Sequence, residues 1–376
     1  MSIKFGTPIR ALRVGALAFA VAAGGMVLDT APAMAKDFYA GKKVQVIIGY
    51  RPGGSYGTYA RLFARHIGAN LPGHPTIIPK NMPGAGSLVA SNFLYNVAPK
   101  DGTVLGVIGQ SVYLMQQLKR PKINFDARKF NWVGRFSDVT SLVISWNTSK
   151  VKSFADAKKH SIPVAVGGTL SGSTLYISFM NELMGTKFQA IKGYDSASAF
   201  LAMERTEVDA TASVSVTSLK SRAPTWVRDK KVHVLVQVAM SPNPDYPNAP
   251  GIMSLVKEEK ARAMMESIVG PNTVGRSVMA PPGLPAARVA LLRTAFDKTV
   301  RSKAFLKDAK KQRLAVRPMS GADLQNYFAT TPKLSADLVT RMNKIVKAKL
   351  TSCKKFAKDP RTCRKQKKKK KKKKPS

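Results

Sequence analysis

Cysteine is scarce: the 376 residues contain two, Cys353 and Cys363, both near the C-terminal end. The body of the chain therefore owes nothing to disulfides, although in an oxidising compartment this pair would close a small loop contributing about 3 kcal/mol. A zinc half-site at the pair fails because nothing nearby supplies the third and fourth ligands. Histidine is nearly as rare, with only His66, His74, His160 and His233. They are scattered, no HExxH or CxxC occurs, and no metal site or cofactor is expected. Acidic residues number 21 against 62 Lys and Arg, for a formal net charge of +41. After the first thirty residues no apolar run approaches the ~20 residues of a membrane span, and no repeat of solenoid period occurs.

The apolar run that does exist, Val14 to Leu28, follows Lys4, Arg10 and Arg13 and precedes Ala33-Met34-Ala35. Basic residues, a short apolar stretch and a small-x-small site form a secretory signal, so the mature chain is expected to start at Lys36 in the periplasm. Removing residues 1–35 leaves a net charge of +39, of which Leu350–Ser376 carries +13 through twelve Lys, two Arg and one Asp. Such an excess calls for a polyanionic neighbour. For an exported chain that means an anionic envelope surface, not nucleic acid. The eight lysines from Lys367 to Lys374 bury nothing and are expected to be disordered.

The length suits two lobes of about 100–150 residues each. Strand-like runs alternate with helical periodicity: 43–49, then Tyr59, Leu62, Phe63 and Ile67 at helix spacing; 75–79, then a helix through Leu88, Leu94 and Val97; 103–109, then 113–118. A second series runs through 142–146, 163–168, 188–194, the helix 196–204 and 232–238. Helices are expected at 253–267, 285–298 and 321–346, with a strand at 276–280 leading into a proline turn. Strands followed by glycine turns and helices predict α/β lobes, each a mostly parallel sheet flanked by helices. The expected division is a signal peptide at 1–35, a first lobe at 36–140 plus 276–350, a second at 141–275 and a basic tail at 351–376. Hinges are expected near 141–146 and 276–281.

The stretch Gly53-Gly54-Ser55-Tyr56-Gly57 satisfies the G-x-S-x-G pattern of a hydrolase nucleophile elbow. A hydrolase, however, needs an oxyanion donor from an earlier loop, and Ser55 follows the first strand of the mature chain. Gly84-Ala85-Gly86 lacks the third glycine of a dinucleotide site, and the 167–174 turn lacks a Walker lysine. What remains is four turns, each after a strand and opening a helix: 53–56, 83–87, 109–111 (with Gln110 and Ser111) and 168–174. Turns of this kind present free backbone amides and the positive end of a helix dipole, which hold carboxylate or phosphate. Four of them at the carboxyl ends of strands in two lobes describe a cleft that grips an anion.

The residues resemble the periplasmic receptors of tripartite tricarboxylate transporters. Pro52-Gly53-Gly54, Asn81-Met82-Pro83-Gly84-Ala85-Gly86-Ser87, Ala98-Pro99-Lys100-Asp101-Gly102, Glu207-Val208-Asp209 and Ala280-Pro281-Pro282-Gly283 match that family's motifs in order. The resemblance implies a two-lobe Venus-flytrap of the type II periplasmic binding class, not an enzyme, which closes on a small organic carboxylate. It implies delivery to a membrane permease of a large and a small subunit. It places Gly53, Gly54, Ser55, Tyr56, Ala85, Gly86 and Ser87 on the ligand in one lobe, and Thr169, Ser171, Gly172, Ser173, Thr174 and Tyr194 in the other. Where the family carries an acid after P-G-G-x-x this chain has Gly57, which argues against an amino-acid ligand and for a plain or aromatic carboxylate. The alternatives are a secreted serine hydrolase using Ser55, and an envelope-tethered adhesion protein in which the lysine tail is the working part.

Overall fold

The computed structural model describes residues 38–169, 171–346 and the backbone of 351–352. The expected signal peptide, Cys353, Cys363 and the lysine run lie outside the described residues.

The chain opens with β1 (Lys43–Ile48), α1 (Ser55–Ile67), β2 (Thr76–Asn81), α2 (Leu88–Asn96), β3 (Val104–Val107), α3 (Val112–Gln117) and β4 (Asn131–Ser137). It crosses to a second sheet through β5 (Ser141–Trp146), β6 (Ile162–Val166), α4 (Gly172–Met184), β7 (Phe188–Lys192), α5 (Ser196–Glu204), β8 (Ala210–Ser215), α6 (Val216–Arg222), β9 (Val232–Val238) and α7 (Glu259–Val269). It returns through β10 (Arg276–Ala280), α8 (Ala286–Arg301), α9 (Lys303–Lys311), β11 (Met319–Ser320), α10 (Gly321–Thr330), α11 (Ala336–Val346) and β12 (Thr351–Ser352). The sheets are ordered β11-β4-β10-β3-β1-β2 and β12-β7-β6-β8-β5-β9. In the second sheet only β5 runs against the others, and in the first β10 and β11 oppose the rest. Thus β5 and β10, the strands that receive the chain from the other lobe, are inserted antiparallel into otherwise parallel sheets.

Strand β1 reads as a nearly continuous apolar run because helices cover both faces of its sheet; Val44, Val46, Ile47 and Ile48 are all buried. On one face α1 brings in Tyr59, Leu62, Phe63 and Ile67, which pack with Phe136, Phe296 and Phe305. Each such side chain contributes about 1.5–3 kcal/mol relative to exposure. The opposite face holds Trp132 stacked on Phe328 of α10 with ring centroids 4.2 Å apart. In the second sheet, Phe179 and Met180 of α4 meet Met264 and Met265 of α7 on one face. Tyr194, Phe200, Met203 and Trp226 fill the other.

Three sequence expectations change. Residues 321–346, expected as one helix, form two, because Pro332 holds Thr331 at φ −61°, ψ 121° and cannot continue the ladder. The second of these, α11, was expected in the first lobe, but Met342, Ile345 and Val346 lie in the core of the second, and Thr351–Ser352 extends that sheet beside β7. Its apolar stripe finds the uncovered face of α4, not of the first sheet. The expected hinge ranges are the strands β5 and β10 themselves; the chain crosses just before each, at 138–140 and 270–275.

Candidate functional site

A cavity of about 660 Å³ lies between the two sheets, at the carboxyl ends of their parallel strands. The first lobe lines it with residues 49–56 after β1, 83–86 after β2 and 110–111 after β3; the second with 167–168 and 171–173 after β6, 192–197 after β7 and 212–215 along β8. Of the expected binding residues, 53–56, 85–86, 110–111, 171–173 and Tyr194 line this one cavity. Ser87, Thr169 and Thr174 do not. Thr169 is exposed, while Thr174 is buried and donates to the Gly168 carbonyl at 2.9 Å.

Ser87 works behind the wall. Ala85, Gly86 and Ser87 all have positive φ, of 43°, 66° and 80°, a conformation that costs a non-glycine residue on the order of 1 kcal/mol or more. The backbone is held there by the buried Ser87 hydroxyl, which accepts from the Gly109 amide at 3.0 Å, and by Ser91, which donates to the Ser87 carbonyl at 3.0 Å. Ser87 therefore positions the loop rather than facing a ligand.

Three helices of nine residues or more begin at the cavity. Ser171 caps α4 by accepting from the Thr174 amide, and Asp195 with Ser198 forms a capping box on α5. No side chain caps α1, whose N-cap residue is Gly54. Its first amides and the positive end of its dipole open into the cleft.

The residue that periodicity could not single out is Arg276, at the start of β10. It is 1% exposed, lines the cavity and forms no ion pair with any described carboxylate. Its guanidinium donates to Ser55 Oγ through Nε at 3.1 Å and Nη2 at 2.9 Å, to Ser215 Oγ through Nη2 at 2.9 Å, and to the Asp138 carbonyl through Nη1 at 3.2 Å. Arg51, Lys192 and Arg276 face the cavity against one acid, Asp195. The Tyr50 and Tyr56 rings pack along one wall with centroids 4.5 Å apart and planes tilted by 37°. Burial pushes the Tyr50 and Tyr194 phenols up to about 12 and raises those of Tyr56 and Tyr176 as well, so all four stay neutral at physiological pH.

No histidine lines the cavity, so Ser55 has no base beside it; what it has is a cation. Among the described residues no group of three or more His, Cys, Asp or Glu could hold a metal. The arrangement suits reversible capture of an anion.

The tripartite tricarboxylate transporter family receptor model matches residues 60–349. No curated protein matches the sequence. Among solved structures the chain is similar to the periplasmic binding protein BugD, at 19% identity and TM-score 0.61 over 82% of this chain and 98% of that one. It is similar to MatC from Rhodopseudomonas palustris with bound malate, at 19% identity and TM-score 0.60 over 81% and 99%. A further Rhodopseudomonas palustris protein, with adipate, matches at 18% identity and TM-score 0.61 over 81% and 96%. With the family model covering most of its length and the two-sheet architecture in agreement, the chain belongs to the tripartite tricarboxylate transporter family of receptors.

Proposed function

We propose that this protein is an extracytoplasmic receptor that encloses a small organic carboxylate between its lobes and hands it to a membrane permease of large and small subunits. The observation that carries the reading is the uncapped N-terminus of α1 beside the buried, carboxylate-free Arg276 in one interlobe cavity. Both favour negative charge, and neither offers chemistry for breaking a bond. That relatives of the same fold hold malate and adipate supports the ligand class. No helix among the described residues is long and apolar enough to cross a membrane, which is compatible with export behind a cleaved signal.

The ligand is expected to lack an ammonium group near the cleft floor. Where the family has an acid, a Cβ on Gly57 would stand 2.8 Å from Arg61 Nη2, so a cationic side chain already occupies that space. The lobes close about 138–140 and 270–275, where the chain crosses between sheets.

A thermal-shift screen of the purified protein against dicarboxylates, tricarboxylates, aromatic acids and amino acids tests the proposal. A ligand at 100 times its Kd adds about 2.7 kcal/mol to stability. No shift with any carboxylate, or ester cleavage abolished by Ser55→Ala, would sink it. A tether through the lysine tail is tested separately: truncation after Leu350 should abolish sedimentation with anionic vesicles and leave carboxylate binding unchanged.

A further inference from the structure

A serine hydroxyl has one proton to give and two lone pairs to receive. Both lone pairs of Ser55 are taken by Arg276, through Nε and Nη2. Its proton has no acceptor among the described residues, and the side chain lines the cavity. Ser215 is filled in the same way: it accepts from Arg276 Nη2 at 2.9 Å and from the Ser218 amide at 3.2 Å, and donates to Ser218 Oγ at 3.1 Å. Ser218, having accepted once from Ser215, keeps its own proton and one lone pair free, and it too lines the cavity. One guanidinium thus orders two hydroxyl chains, one ending at Ser55 in the first lobe, the other passing through Ser215 to Ser218 in the second.

We propose that Arg276 is the specificity-determining residue of the cleft, because it makes Ser55 an obligatory donor to the ligand and, through Ser215, leaves the Ser218 proton free to be given from the opposite lobe. A ligand is then accepted only if it presents anionic oxygen to Ser55, and a second acceptor gains the Ser218 proton as well. An ammonium or amide N–H at Ser55 meets a hydroxyl with no lone pair turned towards it, next to a buried cation. Because the two chains start on one side chain and end in different lobes, both donors are in place only when the lobes are together. This selection rests on the carboxylate-binding reading above, and it adds which groups choose the ligand and from where.

The test uses the purified full chain, calorimetric titration and three probes: succinate, its monoamide and aspartate. The wild type is expected to bind succinate at least tenfold more tightly than either analogue. Arg276→Gln should weaken succinate binding tenfold or more and bring the three affinities within about threefold of one another. Ser55→Ala and Ser218→Ala should each cost about fivefold in the wild-type background, and Ser55→Ala little in the Arg276→Gln background, where the hydroxyl is no longer aimed. Unchanged succinate selectivity in a folded Arg276→Gln protein would overturn the inference while leaving the receptor reading intact. Should Arg276→Gln fail to fold, unchanged affinity in both serine variants overturns it instead. A wild type that binds no carboxylate removes the receptor reading and this inference together.

Discussion

Tyr176 and Asn272 join the second lobe to the crossover: the Tyr176 hydroxyl donates to Asn272 Oδ1 at 2.8 Å. The same oxygen takes Gln110 Nε2 from the first lobe at 2.6 Å, and Asn272 Nδ2 donates to the Val238 carbonyl. The Asn272 carbonyl accepts from the Val139 amide of the other crossover at 2.9 Å. One buried asparagine, through its side-chain amide and its backbone carbonyl, therefore links both crossings to both lobes.

Asn272→Ala should cost about 1–3 kcal/mol of stability, because it removes the side-chain partner of the Gln110 and Tyr176 donors and of the Val238 carbonyl at the edge of the cavity. Urea unfolding measures this; a loss below 1 kcal/mol would mean that water replaces the side chain.

Gly49→Ala should destabilise by about 1–3 kcal/mol and weaken carboxylate binding, since its Cβ would stand 2.0 Å from the Ser87 hydroxyl that props the 84–87 loop. Gly168→Ala, at a position with nothing within 4 Å, is the control. It should stay within about 0.5 kcal/mol of wild type.

Succinate affinity should be flat between pH 6 and 9, because no histidine lines the cavity and its buried phenols remain protonated. A bell-shaped profile in titration calorimetry across that range would contradict this.

Stability should fall above pH 10. Burial raises Tyr39, Tyr50, Tyr194 and Tyr246 to about 12 in the folded protein, against about 10 unfolded. Groups raised in the folded state contribute fully below the unfolded value and lose that contribution as pH climbs from 10 to 12. Urea midpoints measured across that interval should fall, and less steeply in Tyr50→Phe.

At the acid end the sign reverses. Burial pushes the Asp308 carboxyl up, but hydrogen bonds from Arg65, His66 and Gln312 outweigh it and hold the group at about 2. Its contribution is present above pH 4 and lost as pH falls towards 2, with a magnitude on the order of 1 kcal/mol after solvent screening. Denaturation of Asp308→Asn between pH 2 and 5 should lack that part of the slope.

Most of the framework could be read in advance because it is local. Strand β1 declares itself by consecutive apolar residues and α1 by Tyr59, Leu62, Phe63 and Ile67 at helical spacing; the turns between them need glycine. Strand β8 carries no such mark. Its sequence ATASVS alternates small residues with no bulky apolar face, yet it stands between β6 and β5 and carries Ser213 and Ser215 to the cavity. Small side chains are what a sheet needs where the other lobe approaches, and they leave no periodic mark.

By itself the sequence determined the order of elements, the glycine turns at the strand ends and hence an α/β receptor with amide-rich loops. Only the tertiary structure decided which charge enters the cleft. Among 62 Lys and Arg, nothing near Arg276 in the chain distinguishes it. It reaches Ser55, 221 residues earlier, only because the returning chain enters the first sheet antiparallel between β3 and β4. A contact that distant along the chain is set by strand order, which no local pattern encodes.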